Sequence, residues 1–278
     1  MKPLERQKSA SFSWGIKLSA FIAFLSILGF FWTPYDPSAM SMQERLTLPN
    51  GMHWFGTDPF GRDIFSIMLA GMKNSLFIAC CAVALGALAG TMAGFFAALS
   101  KSSLLQKVLG RLTDFMFIFP ALLTAILLAT LYGPSIFNAI AAIAIFNIPV
   151  FFRMSRNVCA MLLLQDYTRA AIALGQTSFG LLYRHLLPGS ASILLTQVSI
   201  QLAMALLAEA SLSYLGLGVP SPQPSLGRML EEAQTYITIA PQLAVIPGSM
   251  IALAVLAFNL LGDGLRDKID PRRRQFFC

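Results

Sequence analysis

The chain has 278 residues, of which 56% are apolar and only 12% charged, with a net charge of +7. That charged share is about half of what a soluble domain carries, and a mean hydropathy of +0.68 points to a membrane protein. A nucleic-acid partner is disfavoured, because the basic residues are dispersed among loops and form no continuous stripe.

A membrane-spanning helix needs roughly 20 predominantly apolar residues. In chain order the first such run is 18–35, preceded by a basic segment. A cleaved signal peptide is the competing reading, but no small-residue cleavage site follows Phe30-Phe31-Trp32, so an uncleaved first helix is expected. The stretch 53–63, HWFGTDPFGRD, comes next, with Gly56, Pro59 and Gly61 for tight turns and Asp58, Arg62 and Asp63 for polar contacts. It reads either as a capped loop with Trp54, Phe55 and Phe60 in a headgroup belt, or as a docking surface for a partner. The second span is 74–100. On it Gly86, Gly90 and Gly94 recur every four residues, which lines them up on one helix face and lets another helix approach closely. Packing within the chain is the preferred reading of this stripe, and contact with another membrane subunit the sharper one.

The apolar run 115–152 is too long for one helix, and Tyr132-Gly133-Pro134-Ser135 breaks it into two. A polar interruption at 166–188, DYTRAAIALGQTSFGLLYRHLLP, then precedes a fifth span at 186–208. A second turn-rich loop at 215–227 holds three prolines and leads to Arg228, Glu231 and Glu232. The last span is 233–262, entered after Pro241 and carrying Pro247. Six spans put both chain ends on one side. That side holds 16 of the 20 lysines and arginines, the opposite side only Arg45, Lys73, Arg62 and Arg228. By the positive-inside rule both termini and the 166–188 stretch are cytoplasmic, and the positive charge reads as topology and contact with anionic membrane lipid.

Little catalytic chemistry is written into the chain. It has two histidines, His53 and His185, expected on opposite sides, and four cysteines without ligand or disulfide spacing. No phosphate-binding loop, nucleophile elbow or zinc helix occurs. No metal site and no catalytic residue are therefore expected, and energy for active transport would have to come from elsewhere. Ion-coupled carriers place carboxylates near mid-membrane, whereas the spans here are almost free of acids. Glu209 lies about 31 Å along a helix from Pro188, so it reads as an interfacial residue capping a loop, in preference to one facing a solvated pathway.

The 166–188 stretch has the grammar of two short helices. Apolar residues recur at helical spacing up to Leu174, and Gly175 suits a helix C-cap in the left-handed conformation. Thr177 or Ser178 can cap a second helix carrying Phe179, Leu182 and Leu186, and Pro188 stands where the next helix begins. The product is a knob on the cytoplasmic face, with Ala170 and Ala171 on its surface for a close fit into a groove. An amphipathic loop lying on headgroups would be more apolar and more basic on one face.

The pattern Arg169-Ala170-Ala171-x3-Gly175-x9-His185-x-Leu187-Pro188 resembles the EAA loop of ABC-importer permeases. GTDPFGRDIFS (56–66), DYTRAAIALG (166–175), RHLLP (184–188), AEASLSYLGLGVPSPQPSLGRML (208–230) and LAFNLLGDGLRDKIDPR (256–272) resemble more narrowly the C-type permease of dipeptide, oligopeptide and nickel importers. Arg169 and His185 replace a glutamate and an isoleucine of the general EAA pattern, and the peptide/nickel subgroup is similar at both. The resemblance implies an all-α integral membrane protein with the type I ABC-importer permease fold, six transmembrane helices and both termini cytoplasmic. It divides the chain into an N-terminal tail, first helix and extracytoplasmic segment (1–73), a five-helix core (74–265) holding the coupling loop 155–188, and a basic tail (266–278).

It further implies a subunit of an ATP-driven, binding-protein-dependent importer of peptides or nickel and other metal chelates in the bacterial inner membrane. The partners would be a B-type permease as heterodimer, two cytoplasmic ATPases holding ATP and Mg, and an extracytoplasmic substrate-binding protein. This chain would bind no cofactor itself. Asp166, Arg169, Ala170, Ala171, Gly175, Arg184, His185, Leu187 and Pro188 would form the ATPase-coupling loop. Asp58, Arg62, Asp63, Arg228 and Glu231 are candidate contacts for the binding protein. A self-sufficient secondary carrier or channel is the alternative.

Overall fold

The computed structural model describes the backbone of residues 2–100, 102–118 and 121–269, and the side chains of 12–100, 102–118 and 123–267. Lys101, Arg272, Arg273, Arg274 and most of the expected basic tail lie outside the described residues. The described chain is helical: α1 (Lys2–Phe31), α2 (Ile64–Leu99), α3 (Ser103–Ile118), α4 (Ala121–Tyr132), α5 (Ile136–Leu163), α6 (Asp166–Ala173), α7 (Ser178–Leu181), α8 (Leu187–Tyr214), α9 (Leu226–Ala233) and α10 (Gln242–Ile269). Among the described residues the only strand-like pairing is an isolated bridge between Thr57 and Asp63.

Five helical segments are long and apolar enough to span a membrane, at 12–31, 64–99, 136–163, 178–214 and 242–267. A sixth is reached when α3 and α4, which meet at a bend of 83°, are counted together as one span. The second span starts at Ile64, ten residues before the apolar run alone would place it. Lys73 interrupts the charge-free count, yet helix geometry passes through it, with its ammonium 5.7 Å above the Phe30 ring. Asp63 caps this early start by accepting the Ser66 N–H at 2.8 Å.

The broadest helix–helix contact in the chain joins α2 to α5. Its seam is the glycine stripe. A Cβ added at Gly86 would stand 2.4 Å from the Asn147 Cβ, one at Gly90 2.4 Å from the Ile148 carbonyl, and one at Gly94 2.0 Å from the Ser155 hydroxyl. The stripe therefore seats α2 on α5 within this chain, with no room for a third helix. The larger of two apolar clusters among the described residues, running from Ile22 through Met72 and Phe151 to Phe258, joins α1, α2, α5, α8 and α10.

Chain direction follows from the close approaches. Gly29 of α1 abuts Leu69 near the start of α2, Gly15 abuts Leu260, and Gly264 abuts Phe12. The start of α1 and the end of α10 consequently share one end of the bundle. The end of α2 lies there too, packed through Phe95 against Leu181 and Leu186 of the 166–188 segment.

Candidate functional site

Two built structures stand at opposite ends of the bundle, a helical knob at 166–188 and a tied loop at 33–63 with α9.

At the knob, α6 ends at Ala173, and Gly175, with a φ of +79°, reverses the chain just beyond it. Nothing lies within 4 Å of where its Cβ would be, so backbone conformation alone favours glycine here. Thr177 then caps α7, its hydroxyl accepting the Gly180 N–H at 3.3 Å. A π-helical turn, 182–186, joins α7 to α8, with the Leu187 N–H reaching back to the Leu182 carbonyl. Pro188 sits in the first turn of α8. Lacking an N–H, it cannot close the usual bond to Arg184, and the wider turn absorbs that gap.

The knob is clamped to the bundle from below. Ala171, Leu181, Leu182 and Leu186 cluster with Phe95 of α2 and Cys159 of α5. Ala171 is thus buried rather than on the surface as the sequence suggested; Ala170, one position earlier, is an exposed small residue. Asp166, Arg169, Arg184 and Pro188 are exposed, and His185 and Leu187 half-buried, with the His185 ring 6.1 Å from that of Tyr167. Sequence reasoning missed the apolar crown. Leu174 is 89% exposed and Phe179 69%, Tyr167, Ile172 and Tyr183 are exposed as well, and the Phe179 and Tyr183 rings lie 4.6 Å apart. The signal was present in the apolar residues interleaved between charges on both faces of short helices. Exposed apolar groups gathered on a rigid, polar-rimmed element mark an interaction surface.

At the other end, the candidate contacts turn inward. Asp58 accepts the N–H groups of Phe60 and Arg62 at 2.8 Å, and Asp63 accepts from Ser66 while its other oxygen meets His53 Nδ1 at 2.9 Å. Both carboxylates are 4% exposed. They organise the loop and are not free for a partner, which corrects the sequence reading at these two positions. The Tyr35 ring stacks on His53, and Glu44 faces its Nε2 at 3.6 Å.

Arg62 is the hub. Its Nε lies 2.5 Å from Asp58 and its Nη2 2.6 Å from Glu232, which also holds Arg228 at 3.1 Å. Burial alone would lower the Arg62 pKa, but the charges of Asp58 and Glu232 and the hydrogen bonds to both carry it above its ordinary value. The hub therefore stays charged and binds the 53–63 loop to α9. Arg228 and Glu231 keep partial exposure.

Glu209, read from the sequence as a loop cap at the membrane interface, is closed off from any open pathway. It is fully buried between α8, α2 and the start of α9, accepting the Ser213 hydroxyl at 2.7 Å. Among the described residues no group of three or more histidine, cysteine, aspartate or glutamate side chains is placed to hold a metal.

These features define a multi-pass helical membrane protein with a short two-helix knob packed against one end of the bundle. Residues 90–275 match the family model described as binding-protein-dependent transport system inner membrane component, and the chain belongs to that family. It is 40% identical over 240 residues to the glutathione transport system permease protein GsiD of Pectobacterium atrosepticum, covering 86% of this chain and 79% of that protein. It is 38% identical over 231 residues to the dipeptide transport system permease protein DppC of Alkalihalophilus pseudofirmus, covering 83% and 76%. The GsiD of an Escherichia coli strain is 40% identical over 256 residues, covering 91% and 84%. The C-type subgroup suggested by the motifs is thus the one its relatives occupy, and the protein is a multi-pass component of the bacterial cytoplasmic membrane.

Proposed function

We propose that this chain forms half of the translocation pathway of an ATP-driven importer of short peptides, including glutathione, and that the 166–188 knob is its grip on a cytoplasmic ATPase. The other half is a B-type permease, and an extracytoplasmic binding protein delivers substrate. ATP and Mg reside on the ATPases. Nickel or other metal chelates fit the same reading, since crossing as a chelate would need no metal-ligating side chains along the path.

One observation carries this reading: an apolar crown, headed by Leu174 and Phe179, is presented on a knob whose underside is packed to α2 and α5. A knob built for lipid would sink its apolar side chains along one face. This one projects them from two short helices around a glycine reversal. Because α2 and α5 are locked by the glycine stripe, force on the knob moves both helices as one body. ATP-driven closure of the ATPases would in this way switch the central path between outward and inward access.

Reconstitution tests the proposal. Liposomes holding this chain with the B-type permease, both ATPases and the binding protein should take up labelled dipeptide or glutathione only with ATP. Uptake by this chain alone would instead support the self-sufficient carrier.

A further inference from the structure

The buried carboxyl of Glu209 has no role in the account so far, and its surroundings are unusually complete. Its Oε1 accepts the Ser213 hydroxyl at 2.7 Å, one turn further along α8. Its Oε2 is buried without a partner in ordinary geometry, and the hydroxyls of Ser75 and Ser225 stand beside the carboxyl. Ser75 comes from α2, and Ser225 is the N-cap of α9. Each of those serines already accepts a backbone N–H from the first turn of α9: Leu226 to Ser75 at 3.2 Å, and Arg228 to Ser225 at 3.2 Å. A hydroxyl that accepts from an amide still has its own hydrogen to donate, and a carboxyl is the acceptor at hand.

The surrounding backbone is fitted just as closely. Asn74 donates to the Pro224 carbonyl at 2.7 Å, the step before the Ser225 cap. A Cβ at Gly227 would stand 2.3 Å from the Ala210 carbonyl, and one at Gly71 3.2 Å from Ser225. The first turn of α9 is therefore pressed into the crevice between α2 and α8, and Glu209 lies at the bottom of that crevice. The far end of the same short helix carries Glu232, the second carboxylate of the Arg62 hub.

We infer that Glu209 is a positioning residue: it fastens α9 to α2 and α8, so that a load on the loop end is passed to the same two-helix body that the knob moves. The mechanical part of this inference stands on geometry alone. Its functional part, that the load comes from a binding protein, rests on the importer reading above. An isolated carboxyl in such a place would be a liability without its hydroxyl partners, and three hydroxyls from three elements give it a fastening role that a local cap would not need.

The test uses the assembled five-part complex in nanodiscs and two readouts. Hydrogen exchange of the 224–234 peptide should accelerate about tenfold in Glu209→Ala, as expected when a buried hydrogen-bonded group loses its partner. The 166–181 peptide should keep its wild-type exchange. In Glu209→Gln, which retains one acceptor oxygen, exchange at 224–234 should stay within about threefold of wild type. The binding-protein concentration giving half-maximal ATPase stimulation should rise in Glu209→Ala and return towards wild type in Glu209→Gln. Unchanged exchange at 224–234 in Glu209→Ala would overturn the inference, as would equal acceleration at both peptides, which reports general loosening. Should Glu209→Ala fail to assemble, Ser213→Ala, which removes the donor to Glu209 and accepts no amide of α9, carries the same comparison. A wild-type complex unresponsive to any binding protein would defeat the importer reading, and the exchange data would still decide the fastening role.

Discussion

Replacing Gly90 by alanine puts the packing of α2 on α5 under direct strain. The added Cβ would stand 2.4 Å from the Ile148 carbonyl, 2.8 Å from the Phe151 Cβ and 3.1 Å from the Phe152 amide. Ordinary contact begins near 3.4 Å, so the two helices must separate by about 1 Å at this level. Neither side can yield cheaply, because the nearest atoms are backbone and a fully buried phenylalanine. Gly86 and Gly94 lie one turn to either side and make equally close approaches, so separation at Gly90 also unseats them. Overpacking of this kind costs about 1–3 kcal/mol, and a gap of 1 Å forfeits up to roughly half the dispersion energy of each neighbouring contact. Gly110 on α3 serves as the control, since a Cβ there meets only the Arg156 side chain at 3.7 Å. Thermal unfolding of the purified subunit in one detergent, followed by intrinsic fluorescence, should show Gly90→Ala several degrees below wild type and Gly110→Ala unchanged or slightly raised. Equal midpoints for Gly90→Ala and wild type would refute the claim that the stripe sets the α2–α5 distance.

Three further outcomes are expected. Arg62→Ala leaves the buried Asp58 without its charge partner and should destabilise the loop end by about 3 kcal/mol, seen as faster hydrogen exchange of 226–233; Arg62→Lys should not restore it, because one ammonium cannot reproduce the two-pronged contact. Asp63→Ala removes the α2 cap and should lower the unfolding midpoint by the equivalent of about 1 kcal/mol, whereas Asp63→Asn, which keeps an acceptor, should lose less. Gly175→Val places a branched side chain at a φ of +79°; the subunit should still insert, with reduced substrate-stimulated ATPase activity in the assembled complex.

The spans, the reversal at Gly175 and the Thr177 cap were readable because each depends on local chemistry: length of apolar run, tolerance of positive φ, and a hydroxyl before a helix. What sequence could not show was which way a side chain turns once helices pack. Asp58 and Asp63 read as partner contacts because polar residues in a turn-rich loop look alike whether they meet a neighbour or their own backbone. Ala171 and Ala170 are adjacent and identical in type, and only the clustering of Phe95 and Leu186 beneath the knob separates them. Glu209 was placed by distance along one helix. Its burial is created by α2 and by α9, elements that are over a hundred positions away and sixteen positions away in the chain.

The central claim is that the crown of the 166–188 knob touches an ATPase. Leu174→Cys in a background lacking the four native cysteines places one reactive thiol at the crown. Met52→Cys places one on the exposed surface of the opposite end. With a thiol-anchored photo-cross-linker in the assembled complex, position 174 should capture an ATPase subunit, with a yield that changes on adding ATP, and position 52 should not. Failure of position 174 to capture an ATPase in a complex that hydrolyses ATP would contradict the account.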